Sequence, residues 1–365
     1  MKNPAPPLSV DIAIVNYFGA ADVARCLERL VAWPHGIVWL VDNSADAGEL
    51  AELARLAEGR PWVRLVDAGA NLGFGRGCNL AFEKSEAPFF LLLNPDAQAS
   101  AADLLALAQA MREQPHFGAV SPRIFWNPSR TFVLPAAFAQ TPCSALAQSL
   151  ASRSHALALW LARRSLRAQR QQMVARDPFE VSFLAGAVMM LRREAVLAAG
   201  GLFDPDYFMF YEDSDLSLRL RRSGWRLAMV PRASAVHEYR HKSFKAALMT
   251  RSREQYYRKR YPWFHRLSGA VTRVDALARP VPVERWYDVL ARPCHTAEDF
   301  NAQTGQAGVV AFSPSMLMMP AIFRPQGEAA RPFSPDEWEL LEPADYVALL
   351  EDRSGTGRWV FFRRG

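Results

Sequence analysis

Between Val10 and Leu93 the chain alternates two hydrophobic periods, and no other feature restricts its fold as much. Val10–Val15 has the apolar run of a strand, and Ala20–Trp33 then places Val23, Leu27, Leu30 and Val31 on one helical face. Ile37–Val41 repeats the strand, followed by Asp42-Asn43-Ser44 and an Ala/Leu-rich helix. A strand at Trp62–Val66, a helix over Gly75–Glu86 and a strand at Phe89–Leu93 complete the series. The unbroken run Phe89-Phe-Leu-Leu-Leu93 suits a strand covered on both faces. Strands alternating with helices predict an α/β fold with helices flanking the sheet.

Beyond Asn127 the pattern loosens. Residues 151–176 hold six arginines and no acid, with Leu157, Leu159, Trp160, Leu161 and Leu166 forming an imperfect apolar stripe beside Arg163, Arg164, Arg167 and Arg170. Such a helix suits a membrane interface or a solvated face packed on its own domain. Regular structure resumes with a strand-like Val181–Leu191, a helix from Arg193, a Gly200-Gly201 stop and strands at Trp225–Pro231 and Ala233–Val236. Residues 246–265 are basic and aromatic and read as helix, and past Arg279 prolines multiply and the signals shorten.

Half the residues are hydrophobic and 22% are charged, which excludes a disordered chain. The net charge of +6 favours anionic contacts, among them nucleotides, diphosphates and acidic lipids. Cys26, Cys78, Cys143 and Cys294 lie too far apart for a zinc site or a disulfide scaffold, so they read as free thiols in a reducing cytosol. The N-terminal MKNPAPPLSV lacks the apolar core of a signal peptide, and no apolar run is long enough to cross a bilayer. Any membrane contact is therefore expected to be peripheral.

Ligands of open α/β sheets bind beyond the carboxyl ends of the strands. Here those ends carry Asn16-Tyr17, Asp42-Asn43, Asn71 and Asn94-Pro95-Asp96. Each alone is compatible with a turn or helix cap; their recurrence at successive ends points to a site. Asn71-Leu-Gly-Phe-Gly-Arg-Gly-Cys-Asn79 holds Gly73, Gly75 and Gly77, but it is not GxGxxG and follows the third strand, so it is no dinucleotide fingerprint. It reads as a loop entering a helix, whose free amides and Arg76 can face a phosphate or base. Asp96 follows a buried strand directly and can serve a Mg²⁺ or Mn²⁺ ion that keeps waters and phosphate oxygens as its other ligands. The alternative role of that loop is a helix cap before Ala101.

The densest signal runs from Phe203 to Leu220, where an aromatic block meets Glu212, Asp213 and Asp215 at the start of a helix. The helix dipole favours ionised carboxylates there, and an ionised, positioned carboxylate can take a proton from a hydroxyl. His237-Glu238-Tyr239-Arg240-His241 has the HExxH spacing of zinc metalloproteases. That motif works only on a helix, and here strand-like segments precede it.

These segments together resemble glycosyltransferase family 2, specifically its bacterial rhamnosyltransferase-like branch. The resemblance spans residues 9–262 through IVNY, VDNS, NLGFGRGCN, LLLNPDA, FLAGAVMMLRRE, GGLFDPDYFMFYEDSDLSLRLRRSGW and VPRASAVHEYRHKS. It implies a GT-A type, Rossmann-like mixed sheet, a nucleoside diphosphate-sugar donor, a Mg²⁺ or Mn²⁺ cofactor and inversion by one direct displacement. By the resemblance, Asn16, Asp42 and Asn71 line the nucleoside pocket, with Arg76 and Asn94 among the substrate contacts, while Asp96 holds metal and diphosphate. Asp213 is the base, Glu212 and Asp215 shape the site or contact acceptor, His237 approaches the metal, and Gly186 on the acceptor-side strand leaves room for sugar. The family often shows VDWLSG where this chain has Val181-Ser-Phe-Leu-Ala-Gly186.

The expected organisation is a glycosyltransferase domain at 1–279, with a nucleotide-sugar half at 9–125 and an acceptor half at 178–265, then a small α+β module at 280–365. The expected function is transfer of a hexose, rhamnose first, to a glycan or lipid-linked glycan acceptor of the cell envelope, with no nucleic-acid partner. The expected location is the cytoplasm, with any membrane contact at its inner face. A nucleotide-binding module without transfer is the rival, and an HExxH zinc protease the more distant one.

Overall fold

The computed structural model describes residues 8–30, 33–136, 138–151, 154–237, 245–267, 287–315, 318, 321–324, 330–352 and 357–365. They divide into two compact units. Unit 1 takes those within Met1–Arg123, Arg176–His237 and Leu248–Arg253; unit 2 takes those within Ile124–Ala175, Glu238–Ala247 and Glu254–Gly365. The boundary expected near Arg279 lies outside the described residues, and the 124–175 segment falls in unit 2.

In unit 1, β1 (Val10–Asn16), β2 (Val38–Asp42), β3 (Val63–Asp67) and β4 (Phe89–Leu93) lie parallel in the order β3-β2-β1-β4. Every residue of β1 and β4 is buried, as their unbroken apolar runs require. The crossovers carry α1 (Ala20–Leu30), α2 (Ala47–Ala57) and α3 (Phe74–Lys84). Val23, Cys26, Leu27 and Leu30 form the buried stripe of α1, while Val31 lies outside the described residues. The strand order reverses between β1 and β4, and such a reversal opens a crevice at the carboxyl ends.

Three features of unit 1 differ from the sequence expectation. Phe117–Phe125 forms β6, after β5 (Ala97–Ala99) and α4 (Ala101–Glu113). Gly118 and Pro122 obscure its strand pattern; a side chain at 118 would sit 2.7 Å from Trp225 Cβ. The strand-like Val181–Leu191 is two strands, Phe179–Val181 (β8) and Val188–Arg192 (β9), the latter running into α7 (Arg193–Ala198), and β9 pairs antiparallel with β4. They separate because the helix α8 (Glu212–Arg222) takes the intervening amides: Leu184 N–H donates to Ser217 Oγ at 3.3 Å and Gly186 N–H to Asp213 Oδ2 at 3.4 Å. The two segments around Pro231 are one strand, β10 (Arg226–His237), which pairs with β8 at Leu227–Met229 and with β5 at Ala235–His237. Pro231, which has no N–H to give a ladder, falls between these partners.

Unit 2 contains β7 (Val133–Leu134), α5 (Pro142–Ala151) and α6 (His155–Val174) besides the C-terminal strands, whereas α9 (Lys245–Arg260) is divided, with Leu248–Arg253 in unit 1 and its ends in unit 2. β12 (Gly308–Ser313), β14 (Asp345–Glu351) and β15 (Gly357–Arg363) are antiparallel neighbours, with β11 (Asp288–Val289) parallel to β15 and β13 (Ile322–Phe323) antiparallel to β12. Their core is aromatic, built from Trp126, Phe132, Phe300, Phe312, Phe333, Trp338 and Phe362. Ala162 and Leu166 of α6 pack against Ala311, Phe323 and Val347. All four cysteines are free, Cys143 exposed and the others buried. Among the described residues, no helix is long and apolar enough to cross a membrane.

Candidate active site

Polar side chains held in place by hydrogen bonds lie at or follow the carboxyl ends of β1, β2 and β3. Asn16 is fully buried; its Nδ2 donates to Glu49 Oε1 at 2.8 Å, and its Oδ1 accepts from Gly19 N at 3.0 Å. Asp42 accepts from the amide and hydroxyl of Ser44. Asn43 Nδ2 donates to Asn71 Oδ1 at 3.2 Å, while Asn43 Oδ1 accepts from Leu72 N at 2.9 Å. Asn71 Oδ1 also accepts from Gly73 N. Asn16, Asp42 and Asn71 are thus gathered at neighbouring strand ends, with Asn71 the most open to solvent.

The glycines after Asn71 serve close approach. Gly73 has φ +85°, and a Cβ there would lie 2.1 Å from the Phe208 carbonyl oxygen, which accepts from Phe74 N. Gly77 packs on Val15 in the same way. Arg76 is exposed, and its Nε donates to the Pro205 carbonyl at 2.6 Å. Asn79 exchanges two hydrogen bonds with the Phe203 backbone. The aromatic segment ahead of α8 is therefore clamped to α3. Gly73→Ala is expected to destabilise the chain by about 2 kcal/mol or more, from clash and positive φ together, read as a lower denaturation midpoint.

Beyond β4, the loop turns tightly: Asn94 N donates to Ala187 O and Asn94 O accepts from Ala97 N. Asn94 Oδ1 is buried without a hydrogen-bond partner among the described residues. Ala97 pairs with His237 across β5 and β10, which brings His237 Nε2 to 3.4 Å from Asp96 Oδ1. The Asp96 side chain is 52% exposed, so it has a solvent side. An exposed carboxylate beside an imidazole fits a cation that takes its remaining ligands from diphosphate and water. Among the described residues there is no cluster of three or more His, Cys, Asp or Glu side chains able to hold a metal alone. His237 ends a strand, whereas HExxH requires a helix; Glu238 to His241 lie outside the described residues.

At the N-terminus of α8, Asp213 Oδ1 accepts from Ser214 N at 2.7 Å and Oδ2 from Gly186 N. Burial raises its carboxyl above the ordinary carboxylate range, and those amides lower it only in part. Burial and the charge of Asp213 raise Glu212 further, and Glu212 Oε2 has no hydrogen-bond partner among the described residues. The helix dipole was expected to favour ionisation of both; desolvation outweighs it. Phe210 and Tyr211 enter the helix at φ +70° and +67°, strain costing about 1–3 kcal/mol each that Ser252 helps hold by donating to Met209 O at 2.7 Å.

Two expected roles change with this placement. Asp215 is fully buried and pairs with Arg219 at 2.7 Å; that guanidinium in turn binds the carbonyls of Ala199, Gly201 and Leu202. It secures the Gly200-Gly201 stop and has no surface to offer an acceptor. Gly186 lies in the turn before β9, not on a strand, where a Cβ would meet Phe74 Cε1 at 3.3 Å. Its missing side chain admits Phe74, and its amide orients Asp213.

The two acidic clusters meet at one sheet edge. Leu93 pairs with Val188, Asn94 binds Ala187 and the next amide, that of Gly186, binds Asp213. Asp96 and Asp213 are thus both tied to the same end of the antiparallel β4–β9 pair. Sequence reasoning missed Glu49 and Ser217, whose roles depend on which helix faces which strand end; Asn43, beside Asp42 at the strand end, was within its reach.

Residues 5–257 match the glycosyltransferase-like family 2 profile, well over half of the chain, and the chain belongs to that family; it is a glycosyltransferase. It is 32% identical over 235 residues to the N-acetylglucosaminyl-diphospho-decaprenol L-rhamnosyltransferase of Mycobacterium tuberculosis, covering 60% of this chain and 71% of that protein. A 61-residue stretch is 43% identical to the rhamnosyltransferase WbbL of Escherichia coli, 17% of this chain and 23% of that one. Among solved structures, the mannosyltransferase PcManGT from Pyrobaculum calidifontis in complex with GDP-Man and Mn²⁺ aligns with TM-score 0.45 and 17% identity, over 76% of this chain and 77% of that chain.

Proposed function

We propose that this chain moves rhamnose from a thymidine diphosphate donor to a lipid-linked or surface glycan acceptor of the cell envelope, inverting the anomeric carbon in one displacement. The observation that supports it is that Asn94, two residues before Asp96, bonds Ala187, and the adjoining Gly186 amide bonds Asp213, all at one end of the β4–β9 pair. The name of the M. tuberculosis relative, a rhamnosyltransferase of N-acetylglucosaminyl-diphospho-decaprenol, supports rhamnose and a polyprenyl diphosphate acceptor; uridine diphosphate sugars are the next donors to try.

Asn16, Asp42, Asn43 and Asn71 hold the nucleoside, and the bonds of Asn16 to Glu49, Asp42 to Ser44 and Asn43 to Asn71 preset that pocket. Asp213 accepts the proton of the acceptor hydroxyl as that oxygen bonds to the anomeric carbon and the bond to the diphosphate breaks. The Gly186 and Ser214 amides keep its carboxylate aimed through the transfer. Asp96 and His237 would hold the divalent cation, which when bound stabilises the charge of the departing diphosphate. Burial raises both carboxyls, and the charge of Asp213 raises Glu212 further, so Glu212 holds a proton more readily than Asp213.

The test is a thermal-shift and donor-hydrolysis screen of nucleoside diphosphate sugars with Mn²⁺. The thymidine diphosphate-rhamnose donor is expected to raise Tm most and to be hydrolysed slowly without acceptor. A larger rise with a uridine diphosphate sugar would move the donor assignment, and binding with neither hydrolysis nor transfer would contradict the proposed chemistry.

A further inference from the structure

We propose that the outward face of α6 is a docking surface for an anionic lipid bilayer. Ala158, Ala162, Ser165, Leu166 and Gln169 form its buried arc. At roughly 100° per residue, Trp160, Arg163, Arg164, Arg167, Arg170 and Val174 fall in the opposite arc, and all six are exposed. The stripe runs along the helix for about 20 Å at 1.5 Å per residue.

An ordinary solvated helix face mixes charges of both signs. Here Arg163 and Arg167 stand at i,i+4, Arg164 and Arg167 at i,i+3, and Arg167 and Arg170 at i,i+3, spacings at which like charges repel. No acid occurs between residues 151 and 176, and no carboxylate of a described residue pairs with these four arginines. Their repulsion is relieved by an anionic partner lying along the helix. A second copy docking through the same face would bring the same sign of charge and is disfavoured.

The apolar groups on this face select the kind of anion. Trp160 is 55% exposed under the Arg164 guanidinium, and Val174 is 55% exposed at the far end of the stripe. A groove of about 640 Å³ runs between the arginine row and β14–β15, walled by Leu166, Val174, Leu349 and Trp359. Guanidinium groups above a hydrocarbon wall, with tryptophan at the rim, match the phosphate and acyl layers of a membrane surface.

This proposal is independent of the donor and acceptor assigned above, because it is tested without either. The full chain is sedimented with phosphatidylcholine vesicles, with or without phosphatidylglycerol, across a salt series. Binding is expected only to the anionic vesicles and is expected to weaken as salt shortens the screening length. Arg163→Ser/Arg167→Ser/Arg170→Ser should lower the partition coefficient on the order of a hundredfold, and Arg167→Ser alone about fivefold should the triple variant not fold. Arg25→Ser/Arg55→Ser/Arg64→Ser, which lowers net charge equally on exposed positions of unit 1, should bind like the unaltered chain. Equal losses in the two triple variants, equal binding to neutral vesicles, or α6-dependent binding of an RNA duplex without vesicle binding would each overturn the assignment.

Discussion

Asp213→Asn should abolish transfer, lowering turnover by about 10²–10⁴-fold while leaving donor affinity nearly unchanged. The asparagine keeps the size of the side chain and an oxygen to accept from Ser214 N, giving up only the longer bond from Gly186 N, which its amide nitrogen cannot accept. What it loses is the capacity to take a proton. The same residue sets the pH dependence. Burial raises its carboxyl to about 6, so the base is protonated below that pH and ionised above it. Turnover should therefore rise with pH through about 6, near tenfold per unit on the acid side, instead of levelling near the ordinary carboxylate value. Single-turnover rates across pH 5–8, with donor affinity measured in parallel, separate base from scaffold. Comparable turnover in the variant, or an acid limb unchanged by it, removes Asp213 from the chemistry.

Much of this was legible because the relevant signals are local. Phe89–Leu93 can only be a strand buried on both faces, and the polar residues that follow such a strand must sit at the sheet edge. The helix carrying Asp213 likewise announces itself through Leu216 and Leu220, both fully buried. The burial of Asp215 is not legible in the sequence for a geometric reason: three acids in four residues fall within about half a helical turn, and only packing shows which of them is sealed from solvent. It is Arg219, one turn on, that claims it. The break between β8 and β9 was invisible because its cause lies elsewhere, in α8 side chains that take the amides of Leu184 and Gly186. The direction of the Asp213 and Glu212 shifts was misjudged for a similar reason. The dipole is written in the sequence, whereas the desolvation that exceeds it belongs to the assembled fold.

Asp96→Ala should act on binding where Asp213→Asn acts on turnover. In the unaltered chain, Mn²⁺ is expected to strengthen donor binding measured by calorimetry, and the variant should lose most of that increment, about 10–100-fold in affinity. The physical basis is the solvent-facing carboxylate 3.4 Å from His237, joined to the β4 edge by a turn too tight to let it swing away. Metal-free donor binding should change little, since the nucleoside contacts lie on the other strand ends. His237→Ala should remove a smaller part of the same increment, because a neutral imidazole contributes a ligand but no charge. The double variant should then lose no more than Asp96→Ala alone if both side chains serve one ion. A metal increment that survives intact in Asp96→Ala would place the cation elsewhere, and losses that simply add in the double variant would mean that the two residues act separately.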